Sequence, residues 1–198
     1  GCRNTAIGYQ AMFDNTTGKQ NFAGGYSALA NNTTGNDNNA LGYYALYSNT
    51  TGVDNTAIGC QALKSNTDGC YNTAIGQITL QSNLSGCYNA AIGYKALNAN
   101  TTGCDNTAIG ACSLQNNTTG SHNIGVGIYA GKFLANGSTA LTSPNNSIYL
   151  GSCTRGYAAT DSNVTVIGYC ACACGDNTVS IGNGNVTNTY INGTTTVT

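Results

Sequence analysis

The chain has no tryptophan, one proline, one methionine and one histidine. Its acidic residues are all aspartate, and the formal net charge is −1. Charged residues make up 7% of the sequence, against about 25% in ordinary soluble domains. So even a balance gives no grip on a nucleic-acid backbone, which takes many unpaired cations. No apolar run approaches the roughly 20 residues of a membrane-spanning helix. His122 is the only conventional base near neutral pH. Phosphate loops, nucleophile elbows and the calcium-binding nonapeptide are all missing. Asp54 and Asp105 stand several repeats apart, too far for a paired acid and base. The expectation is a chain with no catalytic role, no metal and no cofactor.

What remains is glycine, asparagine and threonine, written as a repeat. "NTAIG" begins at residues 4, 55, 72 and 106, with near-copies at 21, 38, 89 and 123. The closing glycines run Gly8, Gly25, Gly42, Gly59, Gly76, Gly93, Gly110 and Gly127, one every 17 residues. A second glycine column runs from Gly1 through Gly18 and Gly35 to Gly120 and Gly137 with the same step. A fixed period means stacked units, each touching mainly its neighbours. The unit "NTAIGYxALxxNTTGxx" is too short for a helical pair, and its Gly, Asn and Thr break helices. It predicts one coil of a β-solenoid, with short strands and glycine turns. Columns of Ile7, Leu41, Ile58, Ile75, Ile92, Ile109 and of Met12, Leu29, Leu46, Leu63, Leu80 argue against disorder. The chain opens in mid-repeat with no leader segment, which reads as a window on a longer or processed chain.

Alternate strand residues face opposite ways, so Ile7 and its neighbour Ala6 must diverge. A thin coil would put Ile inside and Ala outside. The Ala6 column, however, never drifts to Ser, Thr or Lys. That favours burial of both faces, one inside the coil and the other against a partner chain or second layer. The column Asn15, Asn32, Asn49, Asn66, Asn83, Asn100, Asn117 is expected to hydrogen-bond from coil to coil.

"VTVIGYCACACGDNTVSIGNG" (Val164 to Gly184) resembles the head repeats of trimeric autotransporter adhesins, and Gly168 and Gly182 show the 14-residue spacing of that family. The 17-residue units look like the longer variant found in phage and giant-virus fibre proteins. The resemblance implies an all-β, parallel β-solenoid or β-roll of 17-residue coils, followed by 14-residue adhesin-head-like coils, in an intertwined homotrimer. In such proteins the tract Ile181 to Val197 often precedes a self-cleaving chaperone domain. The reading divides the chain into an eight-coil array (1–137), a changeover loop region (138–163), and head-like coils with a neck-like strand (164–198). The break at 128–163 holds the sole proline, Pro144, and places Phe133 and Leu134 at polar positions. It reads as an inserted surface loop, or else as a receptor-contact loop.

Cys70, Cys87 and Cys104 lie on consecutive coils, about 4.8 Å apart and within disulfide range. One bridge, Cys70–Cys87 or Cys87–Cys104, is expected. Cys170, Cys172 and Cys174 fall on one face of a strand, as inter-chain cross-links or as inert small residues. So many cysteines suit an oxidising, extracellular setting. Glycosylation signals recur at Asn15, Asn32, Asn49, Asn83, Asn100, Asn117 and Asn136, and at Asn163, Asn185 and Asn192. They read equally as turn chemistry. Tyr9, Tyr26, Tyr43 and Tyr94 share a column that either stacks on sugars or closes the coil. The expected function is a structural and adhesive segment of an extracellular, cell-surface or virion-surface fibre, acting through stiffness and many weak contacts. Its partners would be copies of itself and a host-surface glycan or receptor. Two alternatives are an ice- or glycan-lattice-binding solenoid, suggested by Thr pairs such as Thr33–Thr34, and a subunit of an end-to-end filament.

Overall fold

The computed structural model describes residues 1–187. Its eleven strands form one sheet in strict sequence order. They are β1 (Thr5–Ile7), β2 (Phe22–Gly24), β3 (Asn39–Leu41), β4 (Thr56–Ile58), β5 (Thr73–Ile75), β6 (Ala90–Ile92), β7 (Thr107–Ile109), β8 (Ile124–Val126), β9 (Ile148–Leu150), β10 (Thr165–Ile167) and β11 (Val179–Ile181). Every neighbouring pair is parallel, and like residues pair with like: Thr56 with Thr73, Ala57 with Ala74, Ile58 with Ile75. The chain therefore returns to the same place once per coil. The protein is an all-β parallel solenoid, and among the described residues no helix is long and apolar enough to cross a membrane.

The strands are short because each coil turns sharply in several places. Gly59 has φ +132°, and a Cβ there would sit 2.5 Å from the Gly76 carbonyl oxygen. Side-chain-bearing residues also turn the chain. Arg3, Gln10 and Met12, and their equivalents in later coils, adopt left-handed backbone angles, as in Leu63 (φ 50°) and Ile78 (φ 60°). This conformation costs an L-residue about 1–2 kcal/mol. Hydrogen bonds between the turns of successive coils offset it: Leu29 N donates to Ala45 O at 3.0 Å, and Ser27 N to Tyr9 O at 2.8 Å.

The interior decides which strand face lies inside, a point the sequence left open. The alanine column is inside: Ala23, Ala40, Ala57, Ala74, Ala91 and Ala108 are fully buried, while Ile7, Ile58, Ile92 and Ile109 are exposed. A second alanine and a leucine, such as Ala62 and Leu63, complete the apolar core of a coil. Leucine from the turn reaches across the narrow lumen, so the strand opposite it has room only for a methyl group.

The rest of the lumen is amide. Asn66 Nδ2 donates to Asn49 Oδ1 at 2.8 Å and to Gly69 O at 2.9 Å, and its own Oδ1 accepts from Asn83 at 2.8 Å. The expected asparagine column is thus a continuous ladder. A second ladder runs through the asparagine of "NTAIG": Asn72 Nδ2 donates to Asn55 Oδ1 at 3.1 Å and to Gly86 O at 2.8 Å. Nearly all these groups are fully buried, and both amide ends are satisfied, as burial requires.

The sheet continues through the expected changeover region, because β9 pairs with β8 and with β10. The extra residues form a small hairpin closed by an antiparallel bridge between Phe133 and Ala140. Partners across this coil are 24 residues apart, as in Thr118 Oγ1 to Thr142 O. Pro144, not Gly137, follows Gly120 in the second glycine column: its carbonyl accepts Asn123 Nδ2 at 2.7 Å, while Gly137 belongs to the hairpin. Beyond Asn123 the amide ladders end and the core becomes Leu141, Tyr149, Val164, Val166, Ala171 and Ala173. Tyr149 takes an inward position held in all the preceding coils by Ala or Gly, and in the two that follow by Val166 and Ser180. Its hydroxyl donates to Asp161 Oδ2 at 2.9 Å, and Asp161 also accepts from the Tyr157 and Ala158 amides. The neck-like strand and Asn192 lie outside the described residues.

Candidate functional site

The outward face of the sheet carries two side-chain columns. One is Thr5, Phe22, Asn39, Thr56, Thr73, Ala90, Thr107, Ile124, Ile148, Thr165 and Val179; the other is Ile7 and its equivalents to Ile181. The second column stays 36% to 63% exposed at Ile7, Leu41, Ile58, Ile92, Ile109, Val126, Ile167 and Ile181. Ten steps of about 4.8 Å make this an apolar strip roughly 48 Å long. Beside it, beyond the glycine turn, runs the Tyr9 column.

The tyrosines of that column stack on one another. Tyr9 and Tyr26 have ring centroids 5.2 Å apart, and Tyr26 and Tyr43 5.4 Å, both with 22° between planes. Tyr44 packs edge-on against Tyr43 and Tyr47. Ring faces between coils therefore meet other rings, leaving edges and hydroxyls outward. Tyr94 stands apart with Lys95 Nζ 5.3 Å from its ring centre. A second stack, Tyr71 on Tyr88 at 4.8 Å and 5°, lies in the exposed column of His122. Asp54 beside Tyr71, with Tyr88, holds the Tyr71 phenol above its ordinary pKa. In the same column His122 Nε2 lies 3.7 Å from Asp105 Oδ2, both well exposed, a pair worth little in water.

The turn column corrects the glycosylation expectation. Asn32, Asn49, Asn83, Asn100 and Asn117 are fully buried, and their side-chain nitrogens are the donors of the ladder. A sugar on any of them has no space in the folded coil. Asn15, at the first coil, is half-buried, whereas Asn136, Asn163 and Asn185 are exposed. The threonine pairs divide their work as well. Thr33 Oγ1 donates to Thr50 O at 3.0 Å, while Thr34 is exposed. In the pairs after Thr16–Thr17, where both are exposed, only the second threonine is exposed.

All ten cysteines are free thiols. In the expected bridge column each sulfur instead accepts a backbone amide of the preceding coil. Val53 N donates to Cys70 Sγ at 3.3 Å, Cys70 N to Cys87 Sγ at 3.1 Å and Cys87 N to Cys104 Sγ at 3.1 Å. Asn36 Oδ1 and Ser121 Oγ do the same elsewhere in the column, so it selects an acceptor rather than a thiol. Burial raises the Cys87 pKa. Cys170, Cys172 and Cys174 do share an outward face, alternating with buried Ala171 and Ala173. They lie in a turn rather than in a named strand: Cys170 has φ 53°, and Cys172 makes one isolated bridge, to Arg155.

The feature that periodicity alone did not reveal is the hairpin at 133–140. Lys132 Nζ lies 4.7 Å from the Tyr129 ring centre and 4.8 Å from that of Phe133. Arg155 reaches under the hairpin to Ala135 O at 3.4 Å. Tyr129, Phe133, Gly137, Cys153 and Arg155 enclose a small cavity of about 130 Å³. Among the described residues no cluster of His, Cys or Asp has metal-binding geometry. A scan of protein-family models, a search of curated proteins and a search of solved structures each find no match to this chain.

Proposed function

We propose that this chain is a structural and adhesive segment of an extracellular or virion-surface fibre, without catalysis, whose outward strand face packs against copies of itself. The observation that carries the reading is the apolar strip along the sheet, aliphatic in every described strand but β2, where Gly24 takes the position. A monomer rarely exposes contiguous apolar surface beyond a few hundred Å², and a strip of branched residues at fixed spacing is self-complementary. The resemblance to adhesin heads favours three chains around this face. The shorter last return, in which Ser162 N meets Asp176 and Asn163 meets Asn177, both 14 residues on, fits the same kinship. Outward Cys170, Cys172 and Cys174 are placed to tie such chains together under oxidation.

Light scattering during gel filtration, with chemical cross-linking, tests this directly. A trimer mass is expected, falling to monomer in the double variant Ile58→Asp, Ile92→Asp. A wild-type chain that stays monomeric at tens of micromolar overturns it.

One observation favours a second reading, ice or glycan-lattice binding. Thr56 and Ile58, Thr73 and Ile75, and Thr107 and Ile109 project from one flat face as repeated Thr-x-Ile pairs. That is a more regular array than the adjacent threonines. Measurable thermal hysteresis by the monomer would replace the fibre reading with this one.

A further inference from the structure

The repeat is interrupted by an insertion at one place among the described coils, and there the chain concentrates its scarce charge. Lys132 and Arg155 are two of the six basic residues of the whole sequence. Arg155 lines the cavity with Tyr129, Phe133, Gly137 and Cys153, and Lys132 holds its ammonium over the Tyr129 and Phe133 rings. No carboxylate answers them. The one ion pair among the described residues is His122 with Asp105. Asp161, whose carboxylate lies against Gly156 in the turn that follows Arg155, is fully buried and committed to Tyr149, Tyr157 and Ala158. The guanidinium carries five donors, and its single protein acceptor among the described residues is Ala135 O, at the long distance of 3.4 Å. The guanidinium packs against the hairpin at Gly137, where a Cβ would stand in ordinary contact 3.4 Å from Arg155 Cζ.

We propose that this cavity binds the acidic group of an anionic saccharide, of the uronate or sialate type. The cavity, about 130 Å³ and partly open to solvent, has room for a carboxylate and the ring atoms next to it. A carboxylate entering the cavity meets the planar guanidinium, whose paired N–H groups match its two oxygens. The body of the sugar then rests on the rim. That rim offers the rings of Tyr129 and Phe133, each with one face already under Lys132 Nζ, and the exposed amide and hydroxyls of Asn136, Ser138 and Thr139. Such a mixture suits a polyhydroxylated ring better than an acidic peptide, which would seek further cations. Lys132 supplies a second positive charge and draws the ligand in.

The inference deepens the adhesive part of the fibre reading, yet the site lies within one chain. Binding by a monomer therefore supports it whatever becomes of self-association. Saturation-transfer NMR and calorimetry on the whole chain would use N-acetylneuraminate and glucuronate as probes, with glucose and an Asp-Gly-Asp peptide as controls. The two acidic sugars are expected to bind, with at least tenfold weakening in Arg155→Gln and about threefold in Lys132→Gln. Glucose is expected to give no signal at the same concentration. Unchanged melting of both variants would show that they fold. Lys132→Gln, whose side chain makes no hydrogen bond, keeps the test open if Arg155→Gln unfolds. Absence of acidic-sugar binding, equal binding of glucose, tighter binding of the peptide, or indifference to both substitutions would each overturn the proposal.

Discussion

Asn66 shows what one residue does in this molecule. Its amide meets Asn49, Gly69 and Asn83 at once, fully buried in the lumen. Replacement by Ala leaves Asn49 Oδ1 and one amide hydrogen of Asn83 unmatched, at about 1–3 kcal/mol each, while Gly69 O keeps its bond from Asn55. We expect Asn66→Ala to cost roughly 3 kcal/mol or more in thermal or denaturant unfolding, while Thr34→Ala on the surface costs under about 0.5 kcal/mol. The same logic governs glycosylation: sugar on Asn49 removes a ladder donor. Expression in a glycosylating host should give folded protein with sugar accepted at exposed Asn136, Asn163 or Asn185 and never at Asn32, Asn49, Asn83, Asn100 or Asn117, as peptide mass spectrometry would read. At exposed left-handed positions the sign reverses. Gln20 has φ 59°, and glycine there relieves strain of about 1–2 kcal/mol against an entropic cost of about 0.5–1 kcal/mol. Gln20→Gly should raise stability by up to about 1 kcal/mol.

Each strand is an element three residues long, too short to hold itself. It is positioned by the Asn before it and the glycine after it. The alanine at its centre is fixed by the space left by leucine from the turn. Ala57→Val should therefore overpack the lumen and cost about 1–3 kcal/mol, whereas Ile58→Ser should leave the monomer's melting nearly unchanged and weaken association. Comparing both variants by melting and by light scattering separates inner from outer faces. The hairpin at 133–140 is the opposite kind of element, held by its own bridge and by Arg155 beneath it. The ordinary coils have no such arrangement, because identical charges stacked at about 4.8 Å repel.

At the scale of the whole molecule the core changes character along the axis, from amide ladders to an apolar core around Tyr149 and Asp161. Burial first, and then Asp161, push the Tyr149 phenol well above its ordinary value. A raised pKa means the folded state holds the proton more tightly. The stability this gives is complete below the unfolded value of about 10 and declines as pH rises beyond it. Unfolding free energy should stay level from pH 7 to 9 and fall above pH 10. Tyr149→Phe should lose about 1.5–3 kcal/mol at pH 7 and show a shallower alkaline fall. Urea melts across this range would check both.

The period, the parallel stacking, the asparagine column and the absence of helix were all legible in the sequence. Each follows from short-range chemistry repeated at a fixed step: glycine where the chain turns, asparagine where an amide can bridge coils, β-branched residues between. The orientation of the strand was not legible. Whether Ala or Ile points inward depends on which turn residue crosses the lumen, a contact made only after the coil closes. The fate of the glycosylation signals, the free state of the thiols and the cavity under the hairpin were hidden for the same reason. A column reads alike from either side in the sequence, and only the closed coil decides which side meets water.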